Sequence, residues 1–569
     1  MAESTSTPAS GARTPDGGAA AQSAAWAGPG LSRRDVMLTL AGVMLGMFLA
    51  ALDQTIVGTA MPRIIGDLGG FDRYTWVTTA YIVASTSVVL LIGRLSDIYG
   101  RKWLFITCFA IFLCGSALSG ISQSMNQLII SRAVQGIGAG GIMGLSFTTM
   151  ADLFPPAERG KYQGLIAAMF GISSVIGPAL GGFLTDSLSW HWVFFVNIPI
   201  GIPVVLGFLR FFPKPKKAEG AGKVDYVGAV LMVLALVPLL LGLSWGGVQY
   251  PWSSAQVLGA LGFGTVMAAL FVMVELRIAN PILPFQLFQD RIVAISMLAI
   301  FLTGFAMFGA VIFMPLYFQG VLGLSATSSG GFTVPMSLGI VSGATLSGQL
   351  LSRAGGHYRI QGVIGLAIMA VGTGLLTTLS ADTTRGAAIT YAVILGFGLG
   401  TSFPTYTIAV QNAVNFKYMG VATSATQFFR SVGGSLGLAL LGAFMVSQFS
   451  SGFAASLHPA AREALPPAQI EKLSHNPNAL VSGQGQAQLK QAYSKLGENS
   501  QVAYDATIAG MRSSLAGAIS NVFKIGFAVV LIALVATLFL KEIPLAKSSG
   551  PGAHGGEPKG NAPPAAAGQ

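Results

Sequence analysis

Asp53 lies deep inside the apolar run from Val36 to Pro62, whereas the rest of the 21 acidic residues fall in polar segments or near the ends of apolar ones. A carboxylate in hydrocarbon is costly, so such groups gather on ion or substrate paths. Burial favours the neutral acid over the anion. A membrane carboxyl can therefore take up a proton from one side and yield it to the other, and when charged it attracts cations. Competition between a proton and a cationic compound for one carboxylate is enough for exchange. The plainer alternative is a structural Asp bonded to backbone or to a neighbouring Arg. Two arginines, Arg132 and Arg430, also lie within apolar segments away from their ends, and Lys524 lies near the start of the last one. An embedded guanidinium needs a partner. Arg132 suits either an acid or the backbone carbonyls of adjoining helices. Arg430, within Phe428-Phe-Arg-Ser-Val-Gly-Gly, reads as structural.

A second group with chemistry is Gly93-Arg-Leu-Ser-Asp97-Ile-Tyr-Gly100-Arg101-Lys. Asp97 near a helix end can cap a neighbouring helix N-terminus, where the dipole favours an anion. Arg101 can bridge Asp97 and Asp152, the acid that closes the fourth apolar segment. Gly93 and Gly100 allow close packing and a sharp turn. Such a cluster is a latch that can hold one face shut and break on switching; the alternative is a solvated basic turn. Gly348-Gln-Leu-Leu-Ser352-Arg-Ala-Gly355 repeats the pattern with Ser352 in place of the acid, so the second copy is expected to latch less strongly.

These residues need membrane helices to position them. Of 569 residues 52% are hydrophobic and 9% charged, and the mean hydropathy is +0.66, against about 25% charged in soluble domains. A spanning helix takes about 20 apolar residues. Scanning at that length gives about fourteen segments, near 36–62, 74–93, 103–121, 127–151, 162–184, 191–212, 225–245, 255–276, 292–318, 328–351, 360–380, 387–412, 420–448 and 517–540. The fold class is an all-α polytopic membrane protein. Basic residues concentrate in alternate loops (Arg33, Arg34, Arg94–Lys102, Arg159, Lys161, and the run Arg210, Lys214, Lys216, Lys217, Lys223), and the opposite short loops hold Arg63, Arg73 and Arg385. The positive-inside rule then puts both termini in the cytoplasm of a cell with a plasma membrane as its site. It also accounts for the net charge of +11 without nucleic acid, which would need a clustered basic face with aromatic platforms. The termini read as disordered tails. The polar stretch Ser450–Ser514 reads as an external loop that is either a small helical hairpin or loose. Cys108 and Cys114 read as small core residues. The five histidines show no metal or triad spacing, so no metal, cofactor or enzymatic role is expected. A nucleotide-driven pump would need a phosphate-cradling loop ending in Gly-Lys-Ser/Thr, which is missing from this sequence.

Four motifs carry a resemblance. Leu52-Asp-Gln-Thr-Ile-Val-Gly-Thr-Ala-Met-Pro62, the Gly93–Lys102 turn, Arg132-Ala-Val-Gln-Gly-Ile-Gly-Ala, and Gly171-Ile-Ser-Ser-Val-Ile-Gly177-Pro178-Ala-Leu-Gly181-Gly occur in order on the first, second, fourth and fifth segments. The chain resembles the major facilitator superfamily, in its fourteen-helix drug:proton antiporter branch, over about residues 35–541. That resemblance implies the major facilitator fold: two six-helix bundles, 35–212 and 291–541, with two extra helices between them at 213–290. Tails at 1–34 and 542–569 and the external loop 450–516 complete the division. It implies adjoining first and fourth helices, so that Arg132 approaches Asp53 in proton coupling. It links Gly171, Gly177, Pro178 and Gly181 to antiport, although a packing kink accounts for them equally. The implied function is proton-coupled export of lipophilic, neutral or monocationic drugs; a lipid or native-metabolite exporter of the same fold is the alternative. Pocket candidates are Gln54, Tyr81 and Gln135 in the first half and Phe301, Phe305, Phe308, Tyr317, Tyr406, Gln411 and Phe428 in the second. Protons, membrane lipids and a lipophilic small molecule are the expected partners, with an envelope protein conceivable at the external loop. The chain is expected to act as a monomer.

Overall fold

The computed structural model describes residues 32–68, 73–212, 224–247, 249–324, 326–353, 356–456, 470, 483–494 and 500–545. The two tails up to residue 31 and from 546, the lysine run 214–223, Gly355 and most of the loop 457–482 lie outside the described residues.

Fourteen helices among the described residues are long and apolar enough to cross a membrane. They are α1 (Arg33–Leu68), α2 (Tyr74–Tyr99), α3 (Arg101–Gly120), α4 (Met125–Leu153), α5 (Pro156–Ser187), α6 (Trp192–Phe211), α7 (Tyr226–Trp245), α8 (Ala255–Glu275), α9 (Arg291–Leu316), α10 (Ala326–Arg353), α11 (Tyr358–Leu376), α12 (Arg385–Ala413), α13 (Met419–Ser456) and α14 (Ser500–Leu538). Local signals set their ends. Ser124, Asp225, Ser254, Asp290 and Thr384 cap α4, α7, α8, α9 and α12 through side-chain oxygens, satisfying amides that have no intrahelical acceptor. Gly100 turns the chain between α2 and α3 at φ +85°, a conformation that a side chain would strain. Pro315 removes an amide near the end of α9, and the helix widens there into a π turn at Tyr317–Val321.

The helices form two bundles that meet through α2 and α4 against α13 and through α5 against α10 and α12. We call the side where α1 starts and α14 ends the terminal face, and the other the far face. Both bundles are stitched by glycines. A Cβ on Gly136 or Gly140 would sit 2.4 Å from Tyr81 O and 2.3 Å from Ser85 O, and one on Gly138 would sit 2.4 Å from Phe112 N. The backbone of α4 thus rests directly on α2 and α3, the close approach that small residues permit in membranes.

The helices α7 and α8 pack on each other and, through α7, on α2 and α13. Trp76 Nε1 donates to Gln249 Oε1 at 3.1 Å and Trp76 stacks at a tilt on Trp245 at 5.3 Å. On the other side Gly247 approaches Ala443 of α13.

The last span differs from the hydropathy scan. The helix α14 begins at Ser500 rather than near residue 517. Its first turns are amphipathic, with Ala503, Thr507 and Met511 buried beside exposed Gln501 and Val502, so an average over a window misses them. They are covered by a helix at Gly483–Ser494, whose Tyr493 shares a 2.6 Å hydrogen bond with Thr507 and packs edge-on against Tyr504. The described part of the loop is therefore helical and docked.

Candidate functional site

Asp53 is fully buried inside the first bundle. Arg132 Nη1 donates to its Oδ2 at 2.5 Å, while Gln135 Nε2 and Asn197 Nδ2 donate to its Oδ1 at 2.8 and 3.1 Å. Arg132 is 1% exposed. It also reaches Gln135 Oε1 at 2.7 Å and stacks on Tyr81, its guanidinium carbon 4.3 Å from the ring centre. Tyr81 OH in turn donates to Ala50 O on α1, and Asn197 also donates to Ser116 Oγ at 3.0 Å. The helices α1, α2, α3, α4 and α6 all contribute. Arg132 lies seven residues from the far-face end of α4, which at 1.5 Å per residue places the pair about 10 Å below that face. An ion pair with this many donors is stable in a dry site only while both charges persist. Protonation of the carboxylate removes the pair.

Asn197, with Ser116 beyond it, is a member of this network that the sequence motifs did not indicate. Its signal was a lone amide in the apolar run Val193-Phe-Phe-Val-Asn-Ile-Pro, the kind of polar group that hydrocarbon does not tolerate unpaired.

The terminal face holds the second cluster. Arg101 Nη1 donates to Asp97 Oδ1 at 2.7 Å and its Nε to Asp152 Oδ2 at 2.9 Å. Asp97 also accepts from Gly420 N and Val421 N, both at 3.1 Å, so it caps the first turn of α13 in the opposite bundle. Gly93 lies beneath the same turn, where a Cβ would meet Ser424 Oγ at 2.3 Å and Gly420 O at 3.0 Å. Across the pseudo-twofold, Gly348 of α10 lies against Gly160 of α5, and a Cβ on it would sit 1.9 Å from Gly160 O. Among the described residues, Ser352 there bonds back to Gly348 O on its own helix. Closure on this side is completed by Arg159, which donates to Phe154 O, Ala151 O and, at 3.3 Å, to Gln411 Oε1 of the opposite bundle.

The α5 glycines divide between two tasks. Gly171 faces Val341 and Ser337 O of α10, whereas Gly177 and Gly181 accept the close approach of Thr55, Ile56 and Thr59 on α1. Pro178 stands between them within the helix.

Several pocket candidates are engaged elsewhere. Tyr317 is fully buried and donates to Ser380 O in the loop after α11. Tyr406 is fully buried and bonds Thr537 on α14 at 2.8 Å. Gln411 belongs to the terminal-face closure and donates to Thr423. Gln135 serves Asp53, and Tyr81 serves Arg132. Phe301, Phe305 and Phe308 do share a face of α9, but that face packs on Gly433, Gly437 and Gly434 of α13. Gln54 stays exposed beside Asp53, and Phe428 is half-buried against Phe429.

A family model described as Major Facilitator Superfamily matches residues 43–438. The chain is 37% identical over 516 residues to the multidrug transporter protein MdtP of Bacillus subtilis, covering 90% of this chain and 94% of that one. It is 40% identical over 410 residues to multidrug resistance protein 3 of the same organism, covering 72% and 80%. The crystal structure of the human organic anion transporter MFSD10 (TETRAN) superposes with a TM-score of 0.55 at 15% identity, over 87% of this chain and 99% of that one, a likeness of fold.

Proposed function

The chain belongs to the major facilitator superfamily, a family of multi-pass membrane transporters, and we propose that it is a proton-coupled antiporter that exports lipophilic drugs by alternating access. Its substrates in this reading are neutral or monocationic, and its terminal face is the cytoplasmic side of a bacterial plasma membrane. The observation that carries the reading is the buried Asp53–Arg132 pair, an ionisable couple sealed within a bundle. The names of the two Bacillus relatives support drug export.

A proton arriving at Asp53 from the far side abolishes its charge and leaves Arg132 with Gln135 Oε1 as its hydrogen-bond acceptor. A buried guanidinium that loses its counterion destabilises the packing around it, which favours rearrangement of α1 and α4 against their neighbours. In the alternate state, open on the terminal face, the proton leaves to the cytoplasm as drug binds, and the ionised Asp53 pairs with Arg132 again as the present arrangement returns. The bonds from Gly420 N and Val421 N to Asp97 hold the cytoplasmic side shut and must part for the alternate state, while Arg101 and Asp152, with Gly93 and Gly100, keep Asp97 in place within its own bundle. The α5 residues Gly171, Gly177, Pro178 and Gly181 keep that helix close to both α1 and α10 as the bundles move. The driving energy is about 2.3 kcal/mol per charge per 100 mV plus about 1.4 kcal/mol per tenfold proton gradient. At 100 mV and a tenfold proton gradient, one proton per cycle thus sustains roughly a 500-fold gradient of a neutral drug, whereas exchange for a monocation is electroneutral and draws only on the roughly tenfold proton gradient.

The test is transport in proteoliposomes with an imposed pH gradient. Asp53→Asn is expected to lose gradient-driven drug accumulation at least tenfold. Because removing one partner of a buried pair costs about 3–5 kcal/mol, the double variant Asp53→Asn/Arg132→Gln is run beside it as a folded control. Undiminished gradient-driven exchange in either variant sinks the coupling assignment. A fluorescent phospholipid in the same vesicles tests the lipid-export alternative.

A further inference from the structure

Arg430 is a charge that neither the proton couple nor the terminal-face latch uses. It lies eleven residues into α13, about 16 Å from the start of that helix at 1.5 Å per residue, near the middle of a hydrocarbon core about 30 Å thick. Its surroundings lie at the same depth: the backbone of Arg430 lies against Gly304 of α9, and its guanidinium carbon stacks 3.8 Å from the ring centre of Phe403 on α12. The residue is 6% exposed, and its buried Nε has no acceptor among the described residues. No Asp or Glu occurs anywhere on α9, α12 or α13. The acids of the adjoining elements lie at their ends: Asp97 of α2 is held by Arg101 and the α13 amides, and Asp505 of α14 is near the far-face end of that helix.

A guanidinium at mid-membrane without a carboxylate is costly, and Phe403 offsets only part of that cost. The ring does fix the plane of the fork. A guanidinium held flat against an aromatic face offers its edge for two parallel hydrogen bonds, the geometry that a carboxylate or similar oxyanion matches. Gln427, one turn earlier on α13, and Phe428 beside it are half-buried, so this stretch of helix is not sealed.

We propose that Arg430, seated on Phe403, is the anion-binding point of the substrate site. The exported compounds then carry one carboxylate or comparable oxyanion on a lipophilic body, and those that are neutral overall are zwitterions. This rests on the exporter reading above and narrows its substrate class: the embedded counterion that the protein lacks at this depth is brought by the compound.

The probes are a rhodamine with a free benzoate and the same dye as its methyl ester, which differ by one negative charge. Binding to the purified full-length protein in nanodiscs, without a gradient, is expected to favour the acid over the ester at least tenfold. Arg430→Gln is expected to erase that preference by weakening the acid, and Arg430→Lys to keep part of it. Phe403→Leu, which frees the fork without removing charge, is expected to reduce the acid-to-ester ratio several-fold. Equal binding of acid and ester by the wild type overturns the proposal. So does a parallel loss of both dyes in Arg430→Gln together with a lowered melting temperature, the signature of a structural arginine; should that variant not fold, Arg430→Lys and Phe403→Leu decide by the same ratio. Proteoliposomes that export neither dye under a pH gradient count against the exporter reading, while the gradient-free binding ratio still decides the anion site.

Discussion

Replacing Asp97 with Ala should shift the protein toward the conformer open on its terminal face. Asp97 makes two kinds of contact. The bond to Arg101 lies within one bundle and so survives in either conformer. The bonds to Gly420 N and Val421 N cross between bundles and exist only in the closed one. Those two amides belong to the first turn of α13, where no helical acceptor is available. Two hydrogen bonds to a buried carboxylate and its attraction to the helix end amount to about 2–3 kcal/mol after solvation. At 1.4 kcal/mol per factor of ten, the ratio of closed to open conformers should fall roughly 30- to 150-fold. The assay is a distance distribution between spin labels in nanodiscs. Tyr99, 53% exposed at the end of α2, and exposed Lys417 just before α13 are changed to cysteine, with the exposed native Cys114 replaced by Ser. The Tyr99→Cys/Lys417→Cys pair should lengthen in the Asp97→Ala background. An unchanged distribution, with the protein folded, would show that the α13 cap does not bias the two conformers, and the latch argument would fail.

Three further outcomes follow from the same geometry. Gly348→Val puts a Cβ 1.9 Å from Gly160 O, so the terminal face cannot close at that corner; export should be lost while thiol labelling of a cysteine introduced at buried Ser424 rises, and wild-type transport would contradict it. Asn197→Ala removes donors to Asp53 and Ser116 and should cost about 1–3 kcal/mol, measured by thermal unfolding, with proton-driven export reduced. Tyr406→Phe deletes the hydroxyl that meets Thr537, and since Thr537 keeps its own bond to Ala533 O, stability should fall by no more than about 1.5 kcal/mol. The apparent KM for drug should not move, and a changed KM would return Tyr406 to the substrate path.

Charges in hydrocarbon were the most readable part of this protein. Asp53 and Arg132 stand out in sequence because each is alone in an apolar run, and the structure brings them into contact. The spacing of Asp97, Arg101 and Asp152 around two short turns likewise specified a local cluster. Contacts between distant segments were not readable: Arg159 meets Gln411, 252 positions away, and Gly160 meets Gly348, because the two bundles fold back on each other. The facing of aromatic residues was also hidden. Helices such as α9 and α12 are apolar all round, so periodicity does not say which side meets protein and which meets lipid. Tyr317 and Tyr406 looked like pocket residues for that reason, and only tertiary packing shows them turned toward Ser380 and Thr537.

The two added helices break the equivalence of the bundles' two lateral seams. Along one seam, α2 against α13, the α7–α8 pair lies across the join and contacts both sides. Along the other, α5 against α10, apolar side chains such as Leu165, Ile172, Leu338 and Leu346 are exposed, beside an open surface groove lined by Leu338 and Val341 of α10 and Val393 of α12. The bilayer therefore meets one seam roofed by an added helix pair and one left bare, so the two flanks of the molecule offer the surrounding lipid different surfaces.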